Sequence, residues 1–502
     1  MPTNTLEIPY IDRPYYPNDG DYTTLPNAHI YTVRDIGNLA PNRYQQYIAG
    51  LRKPWMKICR LRFLNPDGSL AFALDSNANR QLQKKRTVIT VPVDKPYKTT
   101  SGDYKTNPNN HKYTVRHNAT AALTYGVRTY RPQSQCFIQG GNLSVNLQNG
   151  QRRSLSVTLS NVDSQFDYNV NNLWFGQEIA LDEGMILPDG SEYYIQQGIF
   201  TISDPQETFN PNLKTMELDL VDKWANIDGT LGGNLEATYE VPTGTNIFSP
   251  VSSLLAQDIG NGRARDAVKP VYTVYYQGKT QQLPDGSTVS LMDSPYTLTV
   301  SGDGGTEAEV VLKLAEMLNA MVGYDSSGAL RFDASQDDID DTTKPVLWTF
   351  SPEETTLIGL TYSVKNTEVY NDYIVVGEQL DDYTQPSGRA QNYDLRSPTN
   401  INIIGRKTIR QTASGFATDT QCQDLAAWKL KRSTVLQKAV SISCPQILHL
   451  RENCLVEIAR TDKPGIPVER HLIQGFSRPL VGTDSMTISC VSVQDFPIAT
   501  IA

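Results

Sequence analysis

Apolar and polar residues alternate along much of this chain, and two widely separated stretches repeat the same alternation. The first holds Ile179-Ala180-Leu181, then Gln197-Gly198-Ile199-Phe200, then residues 216–222. The second holds Val456-Glu457-Ile458, then Gln474-Gly475-Phe476, then residues 486–491. The spacing from Ile179 to Gln197 equals that from Val456 to Gln474. Because period-two alternation is typical of strands with one buried face, the repeat predicts two copies of one antiparallel β-module. The alternative is that any two half-buried hairpins share such a pattern.

The repeat extends backwards along the chain, and turn signals separate its strands. Residues 155–159 alternate in the same way as residues 440–444. The tetrapeptide Pro-Asp-Gly-Ser occurs three times, at 66–69, 188–191 and 284–287. Proline presets the backbone for the first central position of a turn, and glycine takes the left-handed position. Antiparallel hairpins are therefore predicted to dominate the fold.

Three segments have the 3.6-residue periodicity of helices instead. Ser249-Pro250 reads as an N-cap followed by proline at the first helical position, with an apolar face made by Val251, Leu254, Leu255 and Ile259. Thr306 and Glu309 form a capping box before an apolar stripe that includes Leu314. The third helix begins at Thr418 and Gln421, and its apolar residues are Cys422, Leu425, Ala426 and Leu430.

These patterns predict a mainly β, multidomain chain with an α+β middle segment and two similar antiparallel β-barrel or sandwich modules. Residues 1–55 are rich in Tyr and Pro and are predicted to be an arm that docks on a neighbouring protein. The predicted domains are a first module over 56–242 with a polar insertion at 75–118, a mixed middle domain over 243–345, and a second module over 346–502 with a helix at 418–434.

Composition places the chain among globular proteins long enough for several cores. It has 502 residues, of which 39% are hydrophobic and 20% charged, and 26 tyrosines accompany 13 phenylalanines. No apolar run approaches the roughly 20 residues that span a bilayer, and the N-terminus lacks the pattern of a signal peptide. The net charge of −9 argues against affinity for nucleic-acid phosphates. It is compatible with a surface past which nucleic acid slides.

The residues that usually carry chemistry are present in no recognisable arrangement. The six cysteines form no Cys-x-x-Cys pair, and Cys59 and Cys490 read as buried residues on strands. His111 and His117 share the polar insertion at a spacing that does not suit a helical metal pair, and the acidic run 337–341 lacks calcium-loop spacing. We find no nucleophile elbow, zinc-protease motif or phosphate loop. The chain is therefore predicted to be a structural protein with no catalytic, cofactor-binding or metal site and no cofactor.

Several local signatures in one order resemble the baseplate hub, or tail-tip hub, proteins of tailed bacteriophages, especially those that infect Gram-positive bacteria. They lie at 141–145, 150–159, 172–177, 197–200, 220–224, 314–318, 328–332 and 370–377. The resemblance covers more than 400 residues, from about residue 57 onward. The arm and the 75–118 insertion lie outside it.

The resemblance implies a homotrimer with two tube-like β-modules per chain, which adapts a sixfold tail tube to a threefold tip. It also implies a channel for a tape-measure protein and then for DNA in transient passage. The implied partners are a distal tail protein ring, the tape-measure protein, and tip, spike or receptor-binding proteins. The implied location is the virion tail tip, after synthesis in the host cytoplasm. Since the sequence stops just after the second module's last strand, we expect any enzyme or spike to be a separate protein.

Three other functions stay open at the level of sequence. The chain could be the hub of a phage-derived bacteriocin particle, which its residues do not distinguish from a phage hub. It could be an adhesin for wall carbohydrate, which needs exposed aromatic platforms. Trp174, Trp224, Trp348 and Trp428 lie in apolar contexts and are predicted to be core residues instead. A cell-wall hydrolase is the third alternative.

Overall fold

The computed structural model describes residues 43–75, 93–96, 114–117, 137–334 and 346–493. Short stretches inside these ranges are excepted: 54, 66–67, 162–163, 165, 168–172, 211–212, 261–262, 267, 273–275, 283–286, 351–356, 364–368, 378–384, 396, 414–415, 417, 435–438, 460–467 and 483. The chain is mainly β with antiparallel sheets, as the alternation predicts, and the mixed middle segment is present. In the described ranges the sheets stay open, and no closed barrel forms.

The first module is built from long strands. They are β1 Lys57–Leu64, β2 Leu70–Asp75, β3 Val93–Pro96, β4 Thr114–His117, β5 Ile138–Asn146, β6 Arg153–Ser160, β7 Glu178–Ile186, β8 Glu192–Asn210 and β9 Leu213–Asp222. Their order in the sheet is β5-β6-β9-β8-β7-β1-β2, all antiparallel. Strands β3 and β4 form a separate antiparallel pair within the predicted insertion.

The second module repeats this order after the middle segment. Its strands are β17 Val346–Phe350, β18 Gly359–Ser363, β22 Ala439–Cys444, β23 Leu455–Ala459, β24 Val468–Pro479 and β25 Met486–Val493. They follow one another as β18-β22-β25-β24-β23-β17, matching β5-β6-β9-β8-β7-β1. One strand departs from the repeat, because β17 runs parallel to β23 whereas β1 runs antiparallel to β7.

The middle segment has its own apolar core. It contains the strands β10 Tyr239–Val241, β11 Val271–Tyr272, β12 Thr280–Gln282, β13 Thr288–Ser290, β14 Leu298–Val300, β15 Ala320–Tyr324 and β16 Leu330–Ala334. Its helices are α2 Phe248–Leu255 and α3 Glu307–Met317. The core begins at Trp224, in a short 3-10 helix Lys223–Asn226, and extends to Phe332.

A smaller unit lies between β18 and β22. Strands β19 Asp372–Val376, β20 Ser387–Gln391 and β21 Thr408–Thr412 form its sheet, and the helices α4 Ile401–Ile404 and α5 Asp419–Thr434 accompany it. Helix α5 packs Cys422, Leu425, Ala426 and Leu430 against the sheet in a separate core. The sequence pattern located this helix but indicated neither the sheet nor the core.

The predicted helix starts are confirmed at two places and wrong at the third. Thr306 accepts a hydrogen bond from the Glu309 backbone at 3.2 Å, and Thr418 and Gln421 cap each other reciprocally. Helix α2 instead begins at Phe248, whose backbone N–H donates to Asn246 Oδ1 at 3.1 Å. Asn246, rather than Ser249, supplies this cap. Ile259 lies beyond the helix end and is exposed, so its predicted place on the apolar face is wrong.

The predicted N-terminal arm has a structured end that belongs to this chain's own core. Helix α1, Arg43–Leu51, buries Tyr47 completely. The Tyr47 hydroxyl accepts from the Leu448 N–H at 3.0 Å and lies 3.1 Å from His449 Nδ1. Treating 1–55 wholly as a docking arm was therefore wrong for this helix. Residues 1–42 lie outside the described part of the chain, as do most of the insertion and the acidic run 337–341.

Candidate assembly surface

The two modules join through one pair of strands within the chain. Strand β24 is long enough to have two neighbours along a single edge: its first half pairs with β23, and its second half pairs with β5. In the second pairing Ser477 lies opposite Ser144, and Pro479 lies opposite Asn142. A strand of the first module thus completes the sheet of the second, and we call this pairing the internal junction.

Backbone and side-chain bonds hold the internal junction in register. The Leu147 N–H donates to the Gln474 carbonyl at 2.6 Å, and the Leu480 N–H donates to the Gly141 carbonyl at 3.0 Å. Gly141 has a φ of 146°, and a Cβ there would lie 2.8 Å from Leu480 Cδ1 and 2.2 Å from the Ser156 carbonyl oxygen. Glycine therefore allows Leu480 to close over the end of β5, where Leu480 is 1% exposed.

A buried ionic network lies behind the internal junction. Glu183 of the first module binds Arg478 of the second at 2.6 Å, and Lys57 Nζ approaches its other oxygen at 2.6 Å. Arg478 also donates to Gln197 Oε1 at 2.6 Å. Burial alone would raise the pKa of Glu183, but the Arg478 and Lys57 charges outweigh burial and hold this pKa below its ordinary value.

A second buried pair connects the modules. Arg153 Nη2 lies 2.5 Å and 2.6 Å from the two oxygens of Glu452. Burial opposes ionisation here as well, yet the charges of Arg153 and Arg152 hold the pKa of Glu452 below its ordinary value. Because removing one member of such a pair strands a buried charge, these contacts fix the two modules in one arrangement.

Matching bulges show which residues of the modules are equivalent. Strand β8 has an extra residue, Ser203, between positions paired with Leu220 and Asp219 on β9. Strand β24 has an extra residue, Gln474, between positions paired with Cys490 and Ser489 on β25. Gln474 is therefore the counterpart of Ser203. The equal spacing along the sequence had wrongly suggested that Gln474 is the counterpart of Gln197. The proposed equivalences of Ile179 with Val456, and of 155–159 with 440–444, agree with the strand pairings.

This equivalence identifies an open acceptor edge on the first module. Strand β8 pairs with β7 only as far as Thr201, so on that side residues 204–210 pair with no described strand. These residues are the counterparts of the β24 segment that receives β5. Phe209 takes the place of Leu480 and is 74% exposed.

The second module has the complementary open edge, because β18, the counterpart of β5, pairs only with β22 among the described strands.

One face of the sheet is polar across both modules. On the first module its residues include Asn142, Ser144, Ser154, Ser156, Glu217 and Asp219. On the second they include Thr361, Ser441, Ser443, Ser477, Thr487 and Ser489. The opposite sides of these strands belong to the apolar core. The internal junction makes this surface continuous, and we call it the polar face.

The residues singled out in the sequence have mostly structural positions. Cys59 and Cys490 are buried on strands, and Trp224 and Trp348 are core residues as predicted, whereas Trp174 and Trp428 are only half-buried. In the described part of the chain no three His, Cys, Asp or Glu side chains group as a metal ion would require. No described helix has the length and apolar character needed to cross a membrane.

Comparison with known proteins gives likenesses among solved structures alone. No protein-family model matches the chain, and no curated protein matches it. A tail protein from Neisseria meningitidis is similar at 10% identity and a TM-score of 0.46, over 72% of this chain and 94% of that one. A prophage tail protein from Shewanella oneidensis is similar at 11% identity and a TM-score of 0.45, over 71% and 94%.

A prophage tail protein from Listeria monocytogenes is similar at 8% identity and a TM-score of 0.42, over 70% of this chain and 87% of that one. Other similar structures are Francisella complexes of PdpA and VgrG and a type VI secretion component of E. coli. These similar structures include tail proteins and components of secretion systems.

The sequence signatures did not identify the open β8 edge, the candidate assembly surface. Phe209 lies in Glu207-Thr208-Phe209-Asn210, a polar stretch with no apolar alternation, so nothing in its neighbourhood marks it. The signal that finds it is its equivalence with Leu480, which becomes visible only when the strands are aligned by their bulges.

Proposed function

We propose that this chain is a non-enzymatic structural protein of a phage-like tail tip, in which three copies form a ring of six β-modules. The observation that carries the proposal is the internal junction, together with the two matching edges left open by β8 of the first module and β18 of the second. An exposed strand edge is a template for pairing with another chain. The open β8 edge of one copy therefore receives β18 of the next copy, as β24 receives β5 within the chain.

The equivalence gives this contact a register. Thr208 of one copy lies opposite Thr361 of the next, in the way that Pro479 lies opposite Asn142. Phe209 then lies opposite Leu360, and Ile358, which is 62% exposed, is a diagonal neighbour. The contact removes two exposed apolar side chains from water and pairs two open edges.

The two edges differ, so the contact is head-to-tail, and repetition closes a ring when the rotation per module allows it. Three copies is the number that the sequence resemblance implies. In this proposal the ring adapts a sixfold tail tube to a threefold tip and surrounds a channel for a tape-measure protein and DNA. Its partners are the neighbouring tail and tip proteins of the particle.

A pair of engineered cysteines tests the register directly. Thr208→Cys with Thr361→Cys is expected to form disulfides between chains on mild oxidation, giving dimers and trimers on a denaturing gel. Paired strands bring opposite Cα atoms to about 4.5–5.5 Å, which suits a disulfide. Ser477→Cys with Ser144→Cys is the matched internal control, since this pair is expected to cross-link within one chain.

Two further controls separate specific pairing from random oxidation. Each single-cysteine variant shows how much cross-linking arises with the native cysteines. The second control, Thr208→Cys with Ser441→Cys, places the second thiol one strand further into the sheet. The expected result is cross-linking of the first pair alone, together with a mass of three chains in light scattering. Efficient internal cross-linking with no bond between chains would refute the proposed ring.

A further inference from the structure

Two exposed aromatic side chains lie near the two ends of the open β8 edge. Phe209 lies at one end of residues 204–210 and is 74% exposed. At the other end β7 leaves β8, where Glu178 pairs with Thr201. Phe175 precedes Glu178 closely in the sequence, which places its Cα within about 11 Å of that pair, and it is 76% exposed. The edge that is proposed to receive β18 thus has a large apolar residue near each end.

Backbone geometry identifies the counterpart of Phe175 in the second module. Gly176 has a φ of 73° and lies two residues before the first residue of β7. Asn453 has a φ of 60° and lies two residues before the first residue of β23. Both residues take the left-handed conformation, so the chain turns into its two equivalent strands in the same way. Phe175 is therefore the counterpart of Glu452.

Within the chain the Glu452 position belongs to the internal junction. Glu452 is only 8% exposed, and both of its carboxylate oxygens accept from Arg153 Nη2. Arg153 is the first residue of β6 and lies opposite Val145, near the end of β5. The loop end of the hairpin that β5 and β6 form therefore rests on Glu452, and Leu480 closes over the other end of β5.

We propose that Phe175 is a second anchor of the contact between copies, packed against the loop end of the β18–β22 hairpin of the next copy. This proposal rests on the proposed ring. Strands β18 and β22 are the counterparts of β5 and β6. Docking of β18 on the open β8 edge therefore brings the loop end of its hairpin to Phe175, as pairing of β5 with β24 brings Arg153 to Glu452. The occupant of this position is thus a second copy of the chain.

The two equivalent positions differ in the kind of contact that they make. Glu452 is a buried charge that depends on Arg153, so its contact is ionic and must form as the chain folds. Phe175 is mostly in water in the single chain, and this exposure strands no buried charge. An apolar anchor suits a contact between chains that fold first and assemble afterwards. Salt does not screen such a contact.

A photo-reactive side chain tests what covers Phe175 in the ring. In the ring locked by the Thr208 and Thr361 cysteines, p-benzoyl-phenylalanine takes the place of Phe175, and mass spectrometry locates its links after irradiation. Links to residues 360–370 or 433–440 of another chain are expected. The matched control has p-benzoyl-phenylalanine in place of Leu395, which is 82% exposed and belongs to neither open edge. The control is expected to form no link between chains.

The strength of the contact is measured in the unlocked protein. Phe175→Ser is expected to raise the concentration needed for half-assembly at least about tenfold, because it removes a buried aromatic side chain from the contact. Phe175→Leu keeps an apolar side chain and is expected to retain most of the association. Neither variant should change the thermal midpoint of the single chain. Raising sodium chloride from about 0.1 M to about 1 M should not weaken the association of the wild type.

The outcomes separate this proposal from the ring itself. A locked ring in which the probe at position 175 links only within its own chain, or not at all, overturns the role of Phe175 and leaves the ring standing. Equal links between chains from positions 175 and 395 would mean that the probe reports exposure alone, which also overturns it. Unchanged association of Phe175→Ser does the same. Failure of the Thr208 and Thr361 cysteines to join chains overturns the proposed function, and this appears before any irradiation.

Discussion

Phe209 occupies in the first module the position that Leu480 occupies in the second, yet Leu480 is 1% exposed and Phe209 is 74% exposed. The two residues lie at matching positions near the ends of equivalent strands, and both strands have a bulge at the same place. The difference arises because β5 covers the end of β24, whereas in a single chain nothing described covers the end of β8. An apolar residue at an open strand edge is thus the feature that most directly connects this fold to the proposed ring.

Replacing Phe209 by serine is expected to weaken assembly without weakening the fold. The side chain is mostly in solvent in the single chain, so the thermal midpoint of the chain should be unchanged. Burying a phenylalanine contributes about 2 kcal/mol, so each contact between copies is expected to lose roughly that amount. Sedimentation over a range of concentrations measures the shift toward single chains.

Leu395→Ser is the control for that experiment, because Leu395 is 82% exposed but belongs to neither residues 204–210 of β8 nor β18. It should leave the self-association of the chain unchanged. Equal loss of assembly in both variants would mean that general surface apolarity, rather than the β8 edge, drives association.

The alternation of residues predicted the β-modules well because a strand with one buried face records its orientation in every second residue. The same logic failed at Gln197 and Gln474. Each is the extra residue of a bulge, Gln197 on the β7 side of its strand and Gln474 on the β25 side. A bulge inserts one residue and reverses the phase of the alternation, so equal spacing along the chain did not mean equal positions in the sheet.

Tertiary contacts decided the features that the sequence could not indicate. Tyr47 lies in the segment that was predicted to be a Tyr- and Pro-rich docking arm, and its burial depends on Leu448 and His449, far away along the chain. The ionic network is equally non-local, since Lys57, Glu183 and Arg478 come from different parts of the sequence. Capping residues such as Thr306 were predictable because their bonds span only three positions.

Glu183→Gln is expected to destabilise the junction between the modules strongly. The change leaves Arg478 and Lys57 buried without an anionic partner, and breaking a buried pair in this way costs about 3–5 kcal/mol. Urea-induced unfolding followed by fluorescence measures the loss. Glu309→Gln breaks the exposed pair with Lys313 and is expected to cost less than about 1 kcal/mol. Similar costs for the two variants would mean that the buried network contributes no more than a surface pair.

Leu314→Asp is expected to unfold the middle segment. Leu314 is fully buried on the apolar stripe of helix α3, and a carboxylate there has no partner to offset its desolvation. Glu316→Asp introduces aspartate on the exposed side of the same helix and should cost only a few tenths of a kcal/mol. Thermal melting and limited proteolysis distinguish the variants. An unchanged melt for Leu314→Asp would show that this helix does not support the core.

Acidification is expected to weaken the attachment of helix α1 through His449. Burial lowers the pKa of His449 from 6.5 to about 4, and the Arg478 and Arg451 charges add to this effect. The Nδ1 atom of His449 lies 3.1 Å from the Tyr47 hydroxyl oxygen, and its Nε2 atom lies 2.9 Å from the Leu347 carbonyl oxygen. This arrangement suits the neutral imidazole. Between pH 6.5 and 4 the unfolded chain binds a proton at this histidine that the folded chain does not. The contribution of His449 to the free energy of unfolding is therefore complete above pH 6.5. It is lost as the pH falls to about 4, by about 3 kcal/mol in total.

Urea midpoints for the wild type and for His449→Gln at pH 7 and pH 4.5 measure this effect. The variant is expected to be less stable at pH 7, because the bond to Tyr47 is disturbed, and to lose less on acidification. An equal acid loss in both proteins would assign the pH dependence to other groups.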